Sequence, residues 1–136
     1  MCTVVLLRRP GHAWPLLLAA NRDEMRDRPW RPPARHWPDH PAVTGGQDAL
    51  AGGTWLALND AGVVAAVLNR LNTLGPRMGS LSRGRLPLEA LALARARDAA
   101  DALVASVDPA RYRSFNLVLA DHDERGEGEP PAALDD

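Results

Sequence analysis

The chain has 136 residues, 46% hydrophobic and 24% charged, enough apolar material for one domain with a modest core. Its 16 basic residues are all arginine and face 17 acidic residues for a formal net charge of −1, which argues against a nucleic-acid or anionic-membrane surface. The absence of lysine excludes Schiff-base chemistry and a P-loop lysine, and the lone cysteine, Cys2, excludes an internal disulfide or a multi-cysteine metal site. Such cysteine usage fits a cytoplasmic setting.

In chain order, residues 3–7 (TVVLL) read as a buried strand, too short for a signal-peptide core and followed rather than preceded by charge. No stretch approaches the roughly 20 apolar residues of a membrane helix. Pro10-Gly11-His12 turns the chain, and residues 14–20 read as the partner strand of a hairpin. The first residue of one strand and the last of the other share a hairpin edge, so Cys2 should neighbour the polar cluster Asn21-Arg22-Asp23-Glu24. Residues 25–41 hold five prolines with Trp30 and Trp37, a composition that excludes helix, disfavours a paired central strand and predicts an ordered surface loop or lid. His36 and His40 lie in it, but Pro38 denies them a shared helical face, and surface imidazoles are the simpler reading; no metal site is expected.

Gly45-Gly46 and Gly52-Gly53 bracket residues 47–51. Residues 54–59 then read as a strand, Asn59-Asp60-Ala61-Gly62 as a turn, and residues 63–68 as a second strand ending at Asn69. These strands are apolar at nearly every position, which predicts cover on both faces. After a Gly/Ser/Pro-rich loop over 71–81, helices are expected at about 87–95 and 98–107, the second capped by Asp98 and stopped by Asp108-Pro109. Residues 115–120 read as a last strand, and 123–136 as an acidic disordered tail, leaving one domain over 1–122. The fold class is therefore α+β, antiparallel sheet with a helical pair on one face.

A cysteine at position two becomes the N-terminal residue when the initiator methionine is removed, joining nucleophile and base in one residue. Its α-amine titrates near 7.7 to 8.0 in reference peptides, Arg22 would favour the thiolate, and Asp23 could hold the α-amine by a hydrogen bond. A small buried hydrophobe is the plain alternative for a strand cysteine. Trp55 reads as core rather than ligand platform, Arg83-Gly84 as a turn rather than an anion site, and Asn21 and Glu24 as groups orienting Arg22 and the following loop.

Met1-Cys2, Asn21-Arg22-Asp23-Glu24, Arg28-Pro29, Gly52-Gly53-Thr54-Trp55-Leu56-Ala57, Gly62, Asn69, Ser82-Arg83-Gly84 and Phe115-Asn116-Leu117 together resemble the NRDE, or transport and Golgi organisation, family from Met1 to about Asp121. That family is in turn similar to N-terminal-nucleophile hydrolases of the penicillin acylase and bile salt hydrolase type. The resemblance implies the N-terminal half of an αββα sandwich, with Cys2 as nucleophile, Arg22 and Asp23 tuning it, and Asn69 donating to an oxyanion. The substrate implied is a small-molecule amide, with no cofactor. A rival implication is binding or trafficking of haem or a lipid-like ligand, with Cys2, His36, His40 or Met25 approaching the iron. The family pattern continues beyond this chain's length, so an inactive truncated fragment is a third reading. Sheet surface meant for the missing layer would then be exposed and prone to self-association.

Overall fold

The computed structural model describes residues 2–75 and 77–122. It is α+β, with seven strands, β1 (Thr3–Arg8), β2 (Leu16–Asn21), β3 (Trp30–Ala34), β4 (Val43–Asp48), β5 (Leu56–Asn59), β6 (Val64–Asn69) and β7 (Phe115–Ala120). Two helices, α1 (Arg85–Ala90) and α2 (Ala96–Ser106), lie between β6 and β7, and a single 3-10 turn, Pro109–Arg111, follows α2. The strands form a separate β1-β2 hairpin and a five-stranded sheet in the order β3-β4-β5-β6-β7, antiparallel throughout.

The apolar side chains of one sheet face meet the helices. Ala57 of β5, Val63 and Ala65 beside and in β6, and Leu117 and Leu119 of β7 pack with Leu86, Leu88 and Leu91 around α1 and with Ala99 and Leu103 of α2. Asn59 is buried here and fully used. Its Nδ2 donates to the carbonyls of Leu91 (3.0 Å) and Leu93 (2.8 Å), and its Oδ1 accepts from the Val63 amide (3.0 Å), so the β5-β6 turn is tied to the end of α1. Gly62 completes that turn at φ +87°, a conformation side chains disfavour. The expected cover on both faces is not found: the helices lie on one face, and on the other Leu58 is 51% exposed.

Three local expectations are corrected, and one strand left unassigned from the sequence is added. Residues 25–41 are not loop throughout, because Trp30–Ala34 pairs with β4 as the edge strand β3. The edge position tolerates Pro32 and Pro33, and the register breaks between Arg31 and Ala34 where these prolines fall. Val43–Asp48 is a central strand although Gly45 and Gly46 lie in it. A Cβ on Gly45 would stand 2.4 Å from Ala57 Cβ and 2.7 Å from the Leu56 carbonyl, and one on Gly46 would stand 2.5 Å from the Trp55 ring, so these glycines permit close packing rather than a turn. Helix α1 begins at Arg85 and ends at Ala90, and α2 begins at Ala96 with Arg95 as N-cap, leaving Asp98 inside the first turn. Asp108 does follow the helix, and its side chain caps the 3-10 turn through the Ala110 amide.

Both strands of the first hairpin carry exposed apolar side chains, among them Val5, Leu6, Leu7 and Leu17. The tail expected over 123–136 lies outside the described residues. Gly45→Ala is expected to lower folding stability by about 1–3 kcal/mol, read as a urea midpoint shift, because the added methyl meets backbone that cannot rotate away.

Candidate functional site

The β1-β2 register pairs Thr3 with Asn21, which brings Cys2 alongside residues 22 and 23. Asn21 Oδ1 accepts from the Thr3 amide at 2.7 Å and secures that hairpin edge. The Asp23 amide points at Cys2 Sγ (3.4 Å), and Sγ lies 3.9 Å from the Asp23 carbonyl. Asn69, at the end of β6, donates from Nδ2 to the same carbonyl at 3.4 Å. Thus Cys2, the Asp23 backbone and Asn69 converge, and Cys2 and Asn69 both line a cavity of about 200 Å³.

A polar joint forms one wall. Arg22 leaves β2 and lays its guanidinium over the Trp55 ring, 4.3 Å from the centroid, while its Nη2 donates to Asp48 Oδ2 at 3.0 Å. Arg28 Nε donates to the same oxygen at 2.6 Å. Glu24 adds longer ion pairs to both, 3.6 Å to Arg22 and 3.8 Å to Arg28. The other oxygen of Asp48 accepts from the Leu50 and Ala51 amides, each at 3.0 Å, and closes the turn after β4. Burial opposes ionisation of Asp48, but the Arg28 hydrogen bond, the Ala51 and Leu50 amides and the Arg28 charge outweigh it and hold the carboxyl below its usual range. The Asp48 hydrogen bond correspondingly raises Arg28, against burial.

Gly53 and Gly84 hold the opposite wall close. A Cβ on Gly53 would stand 2.5 Å from the Gly84 backbone, and the Thr54 amide donates to the Gly84 carbonyl at 3.0 Å. Ser82-Arg83-Gly84 is a turn, with the Arg85 and Leu86 amides donating to Ser82 and Arg83 carbonyls. From this turn Arg83 lines the cavity while its guanidinium donates to Thr73 Oγ1 (2.9 Å) and to the carbonyls of Thr73 (2.9 Å) and Ser114 (3.0 Å). Burial and the charge of Arg113 lower the Arg83 pKa, partly offset by Glu24 and Cys2.

Of the residues singled out from sequence, Cys2, Arg22, Glu24, Arg28, Trp55, Asn69 and Arg83 line one cavity; the Asp23 backbone contacts Cys2 and Asn69, and Asn21 holds the hairpin edge. Trp55, expected as core, is instead half-buried outside the core cluster, edge-on to Trp30 at 6.2 Å and beneath Arg22. Met25 lines a neighbouring cavity of about 280 Å³ with Trp30 and Trp55. His36 lies elsewhere, with Nε2 2.8 Å from the Pro32 carbonyl. Sequence reasoning missed Asp48 and Arg113. An Asp four residues before a glycine is an Asx-turn signal for Asp48, whereas nothing in the local pattern marks Arg113. Among the described residues no three of His, Cys, Asp and Glu group to hold a metal, and no helix is long and apolar enough to cross a membrane.

Asp48→Asn is expected to lower stability at neutral pH by about 1–3 kcal/mol, less than a fully buried pair because solvent screens this rim. With the folded pKa depressed, the wild-type advantage is complete above the ordinary carboxylate range near 4 and disappears as pH falls through the lowered folded value. Urea unfolding of both proteins at neutral and acid pH checks this; a difference that persists unchanged in acid contradicts it.

Comparison with known proteins places these residues in a family context. The family model described as Transport and Golgi organisation 2 matches residues 1–131. The chain is 37% identical over 134 residues to a Transport and Golgi organization protein 2 homolog of Bos taurus, covering 88% of this chain and 47% of the relative. It is 34% identical over 134 residues to the Mus musculus homolog, with the same coverage, and 35% identical over 114 residues to the Homo sapiens homolog, covering 81% and 40%. The chain thus spans about half the length of the curated relatives it matches. It belongs to the Transport and Golgi organisation 2 family, which is the NRDE family named for the motif at Asn21-Arg22-Asp23-Glu24.

Proposed function

We propose that this chain carries the nucleophile half of an N-terminal-nucleophile amide hydrolase of αββα type, with Cys2 attacking once Met1 is removed. The observation that carries the reading is the convergence of Cys2 Sγ, the Asp23 backbone and the Asn69 amide at one cavity. In the proposed reaction the freed α-amine takes the thiol proton and Sγ attacks the amide carbonyl. The resulting oxyanion accepts from Asn69 Nδ2, which swings from the Asp23 carbonyl. The α-amine returns the proton to the leaving nitrogen, the C–N bond breaks, and water then hydrolyses the thioester. The Asp23 amide, already directed at Sγ, supports a localised thiolate. Arg22, held by Asp48 and Trp55, sets the field and shape of the wall rather than transferring a proton. Exposed apolar side chains on the β1-β2 hairpin are consistent with a further layer, supplied by the remaining length found in the relatives.

A second reading, binding of haem or a lipid-like ligand without chemistry, is favoured by one observation: Met25, Trp30 and Trp55 line a cavity beside the first. A thiol-directed acyl probe separates the two. The hydrolase reading predicts acylation confined to Cys2, abolished in Cys2→Ala and slowed about 100-fold in Asn69→Ala. Absence of acylation together with a Soret shift on haem titration, lost in Met25→Ala, would favour the binding reading instead.

A further inference from the structure

The arginines of the 200 Å³ cavity fall into two electrically different sets. Arg22 and Arg28 share the carboxylates of Asp48 and Glu24. Arg83 and Arg113, on the other wall, have no carboxylate within ion-pair distance among the described residues. Their guanidiniums donate to neutral oxygens: Arg83 to Thr73 and Ser114, and Arg113 to the carbonyls of Leu74 (2.6 Å), Gly75 (3.1 Å) and Asn72 (3.0 Å). Those bonds fix both side chains without cancelling either charge; burial, then repulsion from Arg113, lowers the Arg83 pKa. Arg77, exposed, lines the same cavity. Guanidiniums held in place with no carboxylate in ion-pair contact suit an anion, because a bound oxyanion would relieve their repulsion without reorganising the wall.

We propose that Arg83 and Arg113 form an anion subsite that seats the carboxylate or phosphate group of a small ligand whose other end reaches Cys2. This deepens the amide-hydrolase reading by giving the substrate a charge, and it rests on that reading only for the identity of the reacting end. A cavity of this volume suits a small acyl compound with one oxyanion group.

Thiol alkylation tests the subsite without requiring turnover, so a protein that never cleaves an amide can still reveal it. Cys2 is the sole cysteine, and iodoacetate and iodoacetamide react with it identically: sulfur bonds to the methylene carbon and iodide leaves. They differ in charge. The ratio of the iodoacetate rate to the iodoacetamide rate is expected to fall about three- to tenfold in Arg83→Gln and Arg113→Gln. It should be unchanged in Arg85→Gln, whose arginine is exposed and pairs with Glu89 at 3.5 Å. Equal ratios in all four proteins would overturn the proposal. Because Arg83 also ties the 73 and 114 segments together, the wild-type protein supplies a second measurement. Acetate or inorganic phosphate should slow iodoacetate beyond the effect of sodium chloride at equal ionic strength. Protection by acetate identifies a carboxylate site, protection by phosphate a phosphate site, and protection by neither contradicts the subsite.

Discussion

One carboxylate, that of Asp48, joins the two β units around the cavity. Its Oδ2 takes Arg22 from the end of β2 and Arg28 from the segment before β3, while its Oδ1 closes the turn that follows β4. The first hairpin leaves much of its apolar surface exposed, so its docking at this end leans on polar and aromatic contacts rather than on a shared core. Two guanidiniums brought to one wall without a carboxylate would repel each other; Asp48 and Glu24 together neutralise them, and Arg22 lies over Trp55. Cys2 is carried into place as a consequence, because the β1-β2 register fixes it opposite the residues that Asp48 holds.

The same cavity is electrically uneven. The wall nearest the hairpin has matched charges, while Arg83 and Arg113 hydrogen-bond only neutral oxygens and have no carboxylate in ion-pair contact among the described residues. Cys2 and Asn69 also line it. Such an arrangement suits a ligand with a reactive end and an anionic end. Gly53 makes the geometry possible, since a Cβ there would stand 2.5 Å from the Gly84 backbone, and one on Gly84 would be tight at 3.1 Å from Thr54.

Much of this was legible in the sequence where periodicity and turn chemistry agree. The Pro-Gly turn gave the first hairpin and hence the meeting of Cys2 with the Asn21–Glu24 motif, and β7 occupies the residues expected of it, Phe115–Ala120. Strands β3 and β4 were hidden because prolines and glycines ordinarily signal loops. Here Pro32 and Pro33 lie on an edge, and Gly45 and Gly46 make room for Ala57 and Trp55 across the sheet. Asp48 and Arg113 act through partners 20 or more residues away, and local pattern carries no record of such pairs. Trp55 reads as core from sequence but lies outside the core cluster, because its place under Arg22 depends on that distant contact.

The central claim is that Cys2 works as an N-terminal nucleophile, and the mass of the mature N-terminus tests it most directly. Intact-mass measurement of the purified protein is predicted to show a chain beginning at Cys2, with a free α-amine. A protein that uniformly retains Met1 would contradict the account, because the amine required as base would be locked in a peptide bond.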